Sequence, residues 1–156
     1  MFNIILFTPQ IPQNTGNIIR LCANTGCNLH LIEPMGFKFD SSKMRRSGLD
    51  YHEFTPVKLY KDWQEFLNLN PESLYNTYAL TTHGHNQILQ TQFNKGDYFL
   101  FGSETAGLPV EVRQSFDAEH LIRLPMMPNN RSLNLANSVS ILVFQAWGQH
   151  NFIGGT

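Results

Sequence analysis

FNIILFTPQIPQNTGNIIRLCANT, residues 2–25, changes its periodicity in the middle. Phe2 to Phe7 is a β-rich apolar run, Thr8-Pro9-Gln10-Ile11-Pro12 is a loop bracketed by prolines, and Asn14 to Thr25 carries the 3.6-residue repeat of a helix. That is one βα unit, and the pattern recurs outward from it. Asn28 to Glu33 reads as a strand closed by Pro34-Met35-Gly36, Ser41 to Ser47 as a short basic helix, and Val57 to Tyr60 as a strand before a helix over Asp62 to Leu69. Thr77 to Thr81 and Tyr98 to Phe101 read as strands, Pro109 to Phe116 as a helix, Leu121 to Leu124 as a last strand and Asn134 to Gln149 as a terminal helix. Strands alternating with helices predict an α/β fold, a mostly parallel sheet with helices on both faces, in one domain over residues 1–156.

Of the 156 residues, 42% are apolar, 12% aromatic and 15% charged, which excludes a predominantly disordered chain. The net charge of -1 excludes a polycation, so binding to nucleic acid requires a local patch. Residues 1–46 hold Arg20, Lys38, Lys43, Arg45 and Arg46 against Glu33 and Asp40, a balance of +3, while the remainder is at -4. The patch therefore belongs to the first third, where Phe37 and Phe39 add aromatic rings able to stack on bases. No apolar run approaches the ~20 residues that span a bilayer, and Met1 leads into a short alternating strand instead of a charged leader, so a cytoplasmic protein is expected. Cys22 and Cys27 read as reduced, structural thiols, and His83 and His85 offer H-x-H without a partner cysteine pair, so no metal is expected.

Two helices carry more than packing information. At 100° per residue Ile18, Ile19, Leu21, Cys22, Ala23 and Thr25 share one arc of the first helix and Gly16, Asn17, Arg20 and Asn24 the other, so Arg20 stands on a face of small residues with no carboxylate three or four positions away. The terminal helix has a main apolar arc, Leu135, Ala136, Val139, Leu142, Val143, Ala146 and Trp147. Asn137, Ile141, Phe144 and Gly148 line up nearly opposite, and a second stripe on a small domain predicts a partner subunit.

The phosphate-binding G-x-x-x-x-G-K-[ST], the dinucleotide G-x-G-x-x-G after the first strand and the G-x-S-x-G elbow are all missing. Three polar, Gly-containing segments at strand ends remain: N-T-G-N-I-I-R (14–20), F-G-S-E-T-A-G-L (101–108), and I-R-L-P-M (122–126) followed by R-S-L-N-L-A-N-S-V-S (131–140). In a parallel sheet the carboxyl ends of strands form the ligand crevice, so three such segments predict a small-molecule pocket. In this order they resemble the signature motifs of the SpoU-TrmD (SPOUT) methyltransferases, and within them the small tRNA wobble-nucleotide 2'-O-methyltransferases.

The resemblance implies a C-terminal trefoil knot, a homodimer through the terminal helix and the first helix, S-adenosylmethionine bound in the knot, and methylation of cytidine or uridine at the wobble position, of leucine tRNAs. It assigns Asn14, Arg20, Glu104 and Asn134 to catalysis and Leu80, Gly102, Ile122, Leu124, Ser132 and Leu133 to the cofactor. Lys38, Lys43, Arg45 and Arg46 are then the RNA-binding patch. Guanidinium stays protonated, so Arg20 would orient the 2'-OH and stabilise developing alkoxide charge, with an adjacent phosphate as proton acceptor. Asn14 would hold Arg20 or the substrate, and Glu104 would pair with Arg20 or cap a loop. The alternatives are a ribose methyltransferase acting on rRNA or another tRNA position, and a non-catalytic RNA-binding dimer.

Overall fold

The computed structural model describes residues 1–39 and 57–156. The basic helix expected over 41–47, with Lys43, Arg45 and Arg46, lies outside the described residues. Seven strands form one sheet: β1 (Asn3–Phe7), β2 (Asn28–Ile32), β3 (Val57–Tyr60), β4 (Thr77–Leu80), β5 (Asn86–Gln87), β6 (Tyr98–Phe101) and β7 (Leu121–Arg123). Their order is β3-β2-β1-β6-β4-β7-β5, and every pairing is parallel. The helices are α1 (Pro12–Thr25), α2 (Trp63–Leu69), the single turn α3 (Ser73–Asn76), α4 (Val110–Gln114) and α5 (Leu135–Gly148). Sequence periodicity misses α3, the two-residue β5 and a 3-10 turn at Ala118–His120, because each is shorter than one repeat of the pattern that would reveal it.

β1 explains why the sheet must be covered twice. Ile4 and Leu6 face a core built with Ile18, Ile19 and Cys22 of α1 and Val139, Leu142 and Val143 of α5. Ile5 faces the other way, onto Phe66 of α2, Leu100 and Leu108. The strand is thus apolar on both sides, where the sequence suggested alternation; a parallel central strand has no solvent face. α1 ends at Gly26, whose φ of 69° is left-handed and suits glycine. Cys22 and Cys27 are buried without forming a disulfide, and burial pushes both thiols up, which keeps them protonated and unreactive.

On α5 the whole predicted main arc is buried. The opposite stripe is exposed at Ile141 (42%) and Phe144 (48%). Its Gly148 end is different. The chain turns back after α5, the Trp147 indole N–H donates to the Ile153 carbonyl at 3.1 Å, and a Cβ on Gly148 would lie 3.2 Å from the Phe152 ring. Gly148 is therefore half-buried under the chain's own C-terminal turn, and the exposed stripe continues through Phe144 onto Phe152 instead.

His30 is 1% exposed in β2, beneath a polar cluster. The Asn70 amide donates to the Tyr60 hydroxyl at 3.2 Å, which leaves the Tyr60 proton for His30 Nδ1 at 2.9 Å. Burial first, and Lys58 second, push the imidazole down to about 4. An unfolded histidine protonates near 6.5, so stability from neutral His30 is complete above that pH and is lost as pH falls towards 4, by about 3 kcal/mol. Urea midpoints measured from pH 7 to 4.5 should fall for the native chain, and the part of this slope due to His30 should vanish in His30→Gln. Equal slopes for the two proteins would contradict the assignment.

Candidate functional site

Four strands end on one side of the sheet at Phe7, Leu80, Phe101 and Arg123, and the loops that follow them surround a cavity of about 870 Å³. That volume lies within the usual range for small-molecule sites. The cavity sits where the order of the sheet reverses, since β1 runs on to β2 on one side while β6 and β4 lie on the other.

The start of α1 organises the rim. Ile11 stands at its N-cap and Pro12 follows, so no side chain of the helix itself satisfies the first backbone N–H groups. Glu104, ninety residues away after β6, supplies an acceptor to the loop just ahead of the helix. Its carboxylate accepts from the Gln10 N–H at 2.8 Å, the Ile11 N–H at 3.1 Å and the Asn14 amide at 3.1 Å. A carboxylate here is also favoured by the positive end of the helix dipole. The Asn14 side-chain Oδ1 in turn accepts from the Asn134 side-chain amide at 2.9 Å, and Asn134 Oδ1 caps α5 by accepting from the Asn137 N–H at 3.3 Å. Glu104, Asn14 and Asn134 thus form one hydrogen-bonded bridge between the three motifs. These contacts tie Glu104 to the loop that enters α1 and to the Asn14 side chain.

Gly102 and the loop after it follow from close approach. Ser103 and Gly107 exchange backbone hydrogen bonds at 3.2 and 3.0 Å, closing a tight loop. A Cβ on Gly102 would enter the backbone of Gly107 and Leu108, 2.6 Å from the Gly107 carbonyl oxygen. Gly107 itself has a φ of 69°. The result is a stretch of main chain bare enough for a flat ligand to lie against it.

Of the residues singled out by sequence, Asn14, Leu80, Gly102, Glu104, Leu124, Ser132, Leu133 and Asn134 all line this cavity. Leu80, Leu124 and Leu133 give it apolar walls. Two do not line it. Ile122 is fully buried, and its carbonyl accepts the Thr81 N–H at 3.0 Å beneath the turn 81–84. Arg20 is exposed on α1, six residues beyond Asn14. Lys38 is exposed, in a segment held to the 8–10 loop by the Gly36 N–H donating to the Pro9 carbonyl at 3.0 Å. Phe39 packs against the core and not outward, because it follows directly from that tethered segment. The sequence reading overlooked Ser138, whose hydroxyl donates to the Asn134 carbonyl at 3.1 Å, and Ser103, whose oxygen accepts the Ala106 N–H at 3.2 Å. Both lie inside the quoted motifs and line the cavity, but nothing in their spacing separates them from neighbouring polar residues.

The described residues contain no helix long and apolar enough to cross a membrane. The model of the SpoU rRNA methylase family matches residues 1–144. A tRNA (cytidine(34)-2'-O)-methyltransferase of Burkholderia ambifaria is 53% identical over 155 residues, 99% of each chain. A structure solved for the 2'-OH methylation of C/U34 on tRNA superposes with a TM-score of 0.85 at 36% identity, over 97% of both chains. An AdoMet-bound rRNA methyltransferase from Sinorhizobium meliloti gives a TM-score of 0.80 at 25% identity, covering 94% of this chain and 56% of that one. With the family model spanning all three motifs that the bridge draws together, the chain belongs to the SpoU rRNA methylase family.

Proposed function

We propose that this chain is a cytoplasmic, S-adenosylmethionine-dependent tRNA 2'-O-methyltransferase acting on cytidine or uridine 34, with leucine tRNAs as the substrates that the motif resemblance implies. The observation that carries the reading is the Glu104–Asn14–Asn134 bridge, which ties all three methyltransferase motifs to the rim of one cavity. A protein that only bound RNA would have no use for that convergence on a ligand-sized cleft. The relatedness to enzymes named for cytidine 34 supports the substrate.

The cavity fits the cofactor by its chemistry. Leu80, Leu124 and Leu133 supply apolar surfaces for an adenine, the bare main chain at Gly102 admits a close approach, and Ser132 adds a hydroxyl at the rim. When bound, the cofactor supplies an electrophilic methyl group. Ile122 serves from beneath, holding the 81–84 turn through its carbonyl. The C-terminal trefoil knot is the one the motif resemblance implies; the chain from Leu124 to Asn134 returns from β7 to bring α5 against α1. Residues 1–156 act as one such domain.

Arg20 donates hydrogen bonds to the ribose 2'-oxygen and stabilises the alkoxide charge that grows there, and a neighbouring RNA phosphate takes the proton. Lys38, together with Lys43, Arg45 and Arg46, meets the RNA backbone. Because Arg20 lies outside the lining of its own cavity, we assign it to the cavity of a second copy, in a homodimer formed through α1 and the Ile141–Phe144 face of α5.

Arg20→Ala should lower the single-turnover rate of tRNA methylation by at least ~100-fold while calorimetry finds S-adenosylmethionine affinity unchanged. A near-normal rate at saturating RNA would end its catalytic assignment. Action across the dimer is tested by a mixed dimer of Arg20→Ala with Gly102→Val, whose loop cannot close. One working cavity, about half the native activity, is expected, and an inactive mixed dimer would place Arg20 in its own subunit's site. Phe144→Asp should bury a charge at the interface at a cost of several kcal/mol, and sedimentation should then report monomer. A native chain that sediments as a monomer at micromolar concentration would refute the dimer.

A further inference from the structure

Beside the cofactor-sized cavity lies a second one of about 460 Å³, sharing Thr82, His83 and Arg113 with the first. Its wall adds His85, Phe116 and Arg123, and no acidic residue lines it. Three separate segments build it, each fixed by its own contacts. The 81–84 turn closes through the Gly84 N–H donating to the Thr81 carbonyl at 3.2 Å, and the Thr81 hydroxyl oxygen accepts the His83 N–H at 3.2 Å. Gly84 is required there, because a Cβ would lie 2.7 Å from the Ile122 carbonyl. Arg113 comes from α4, and Arg123 ends β7.

Arg113 and Arg123 are each half-buried as whole residues, and neither has a carboxylate within 4.0 Å among the described residues. The nearby acids are otherwise disposed: Glu119 lies 4.0 Å from His120, and Glu111 and Asp117 are exposed. Residues 57–156 as a whole carry more acidic than basic side chains, so this cluster is not part of a generally basic surface. Two cations lining one cavity that has no carboxylate in its wall repel each other, and an external oxyanion with several acceptor atoms relieves that cost.

We infer that Arg113 and Arg123 form an anion site that holds a backbone phosphate of the RNA next to the nucleotide being methylated. This rests on the tRNA reading above and adds a contact outside the basic patch of the first 46 residues. Arg123 is beyond the lining of the larger cavity, which favours RNA over the cofactor's carboxylate as the source of the anion. Because the two cavities share a wall, the phosphate belongs to the anticodon loop and not to a distant arm.

The test uses the full-length protein with an unmodified tRNA transcript and with its isolated anticodon stem-loop, titrated between about 50 and 200 mM salt. Arg123→Gln should weaken binding of both RNAs about tenfold and reduce the slope of log K against log salt by about 0.7 to 0.9, the value of one phosphate contact. Arg123→Lys should keep most of that slope, which separates lost charge from lost packing. S-adenosylmethionine affinity should be unchanged in Arg123→Gln. Native salt dependence in Arg123→Gln, or a loss confined to the whole tRNA, would overturn the site as described. A fall in cofactor affinity with RNA binding intact would assign the anion to the cofactor. If the native chain binds and methylates tRNA but Arg123→Gln behaves identically, only this site fails; if the native chain does neither, the tRNA reading fails with it.

Discussion

The rim of the cavity is held by one carboxylate that ties the loop entering α1 to the loop after β6. α1 is entered through Gln10-Ile11-Pro12 with no Ser, Thr, Asp or Asn at the cap position, and the Gln10 and Ile11 N–H groups just ahead of the helix take their acceptor from elsewhere. Glu104 provides two acceptor oxygens, and by accepting from Gln10, Ile11 and Asn14 it fixes the 101–108 loop against the 8–14 loop. Asn14 is 5% exposed, so its amide must be paired on both sides, and Asn134 completes it. This bond network sets the spacing of three loops that the sheet delivers to one edge.

The sheet beneath makes that arrangement rigid. Parallel strands with apolar side chains on both faces fix where each loop leaves the sheet, and all four loops leave at the carboxyl ends. Glycines then decide how closely main chain can approach main chain. Gly102 allows the 101–108 loop to fold on itself, and Gly84 allows the 81–84 turn to rest on β7. The first clears a surface for the cofactor-sized cavity, and the second holds His83 and His85 over the neighbouring one. The polar bridge and the bare loops have complementary uses: the bridge positions, and the glycines make room.

α5 joins the core to the rim of the cavity. Its main arc closes the core against α1 and β1, its N-cap Asn134 belongs to the bridge, and its outer face exposes Ile141 and Phe144. A helix that closes the core and takes part in the bridge cannot change one contact without moving the other.

The sequence by itself determined the parallel α/β class, the extents of β3 and β6, both long helices to within two residues at each end, and the buried arc of α5, since each rests on periodicity over several residues. It also picked out the three motifs, as polar, Gly-containing segments at strand ends whose order resembles that of a known family. What it left undecided was pairing at long range. The bond from Glu104 to the start of α1 spans about ninety positions, and the turn that covers Gly148 depends on where Phe152 lands. The charge count directed attention to residues 1–46, yet Arg113, Arg123, His83 and His85 face one cavity from three distant segments. Local pattern reports what a residue does to its own helix or strand; only the folded sheet, by fixing where its loops emerge, decides which polar groups become neighbours.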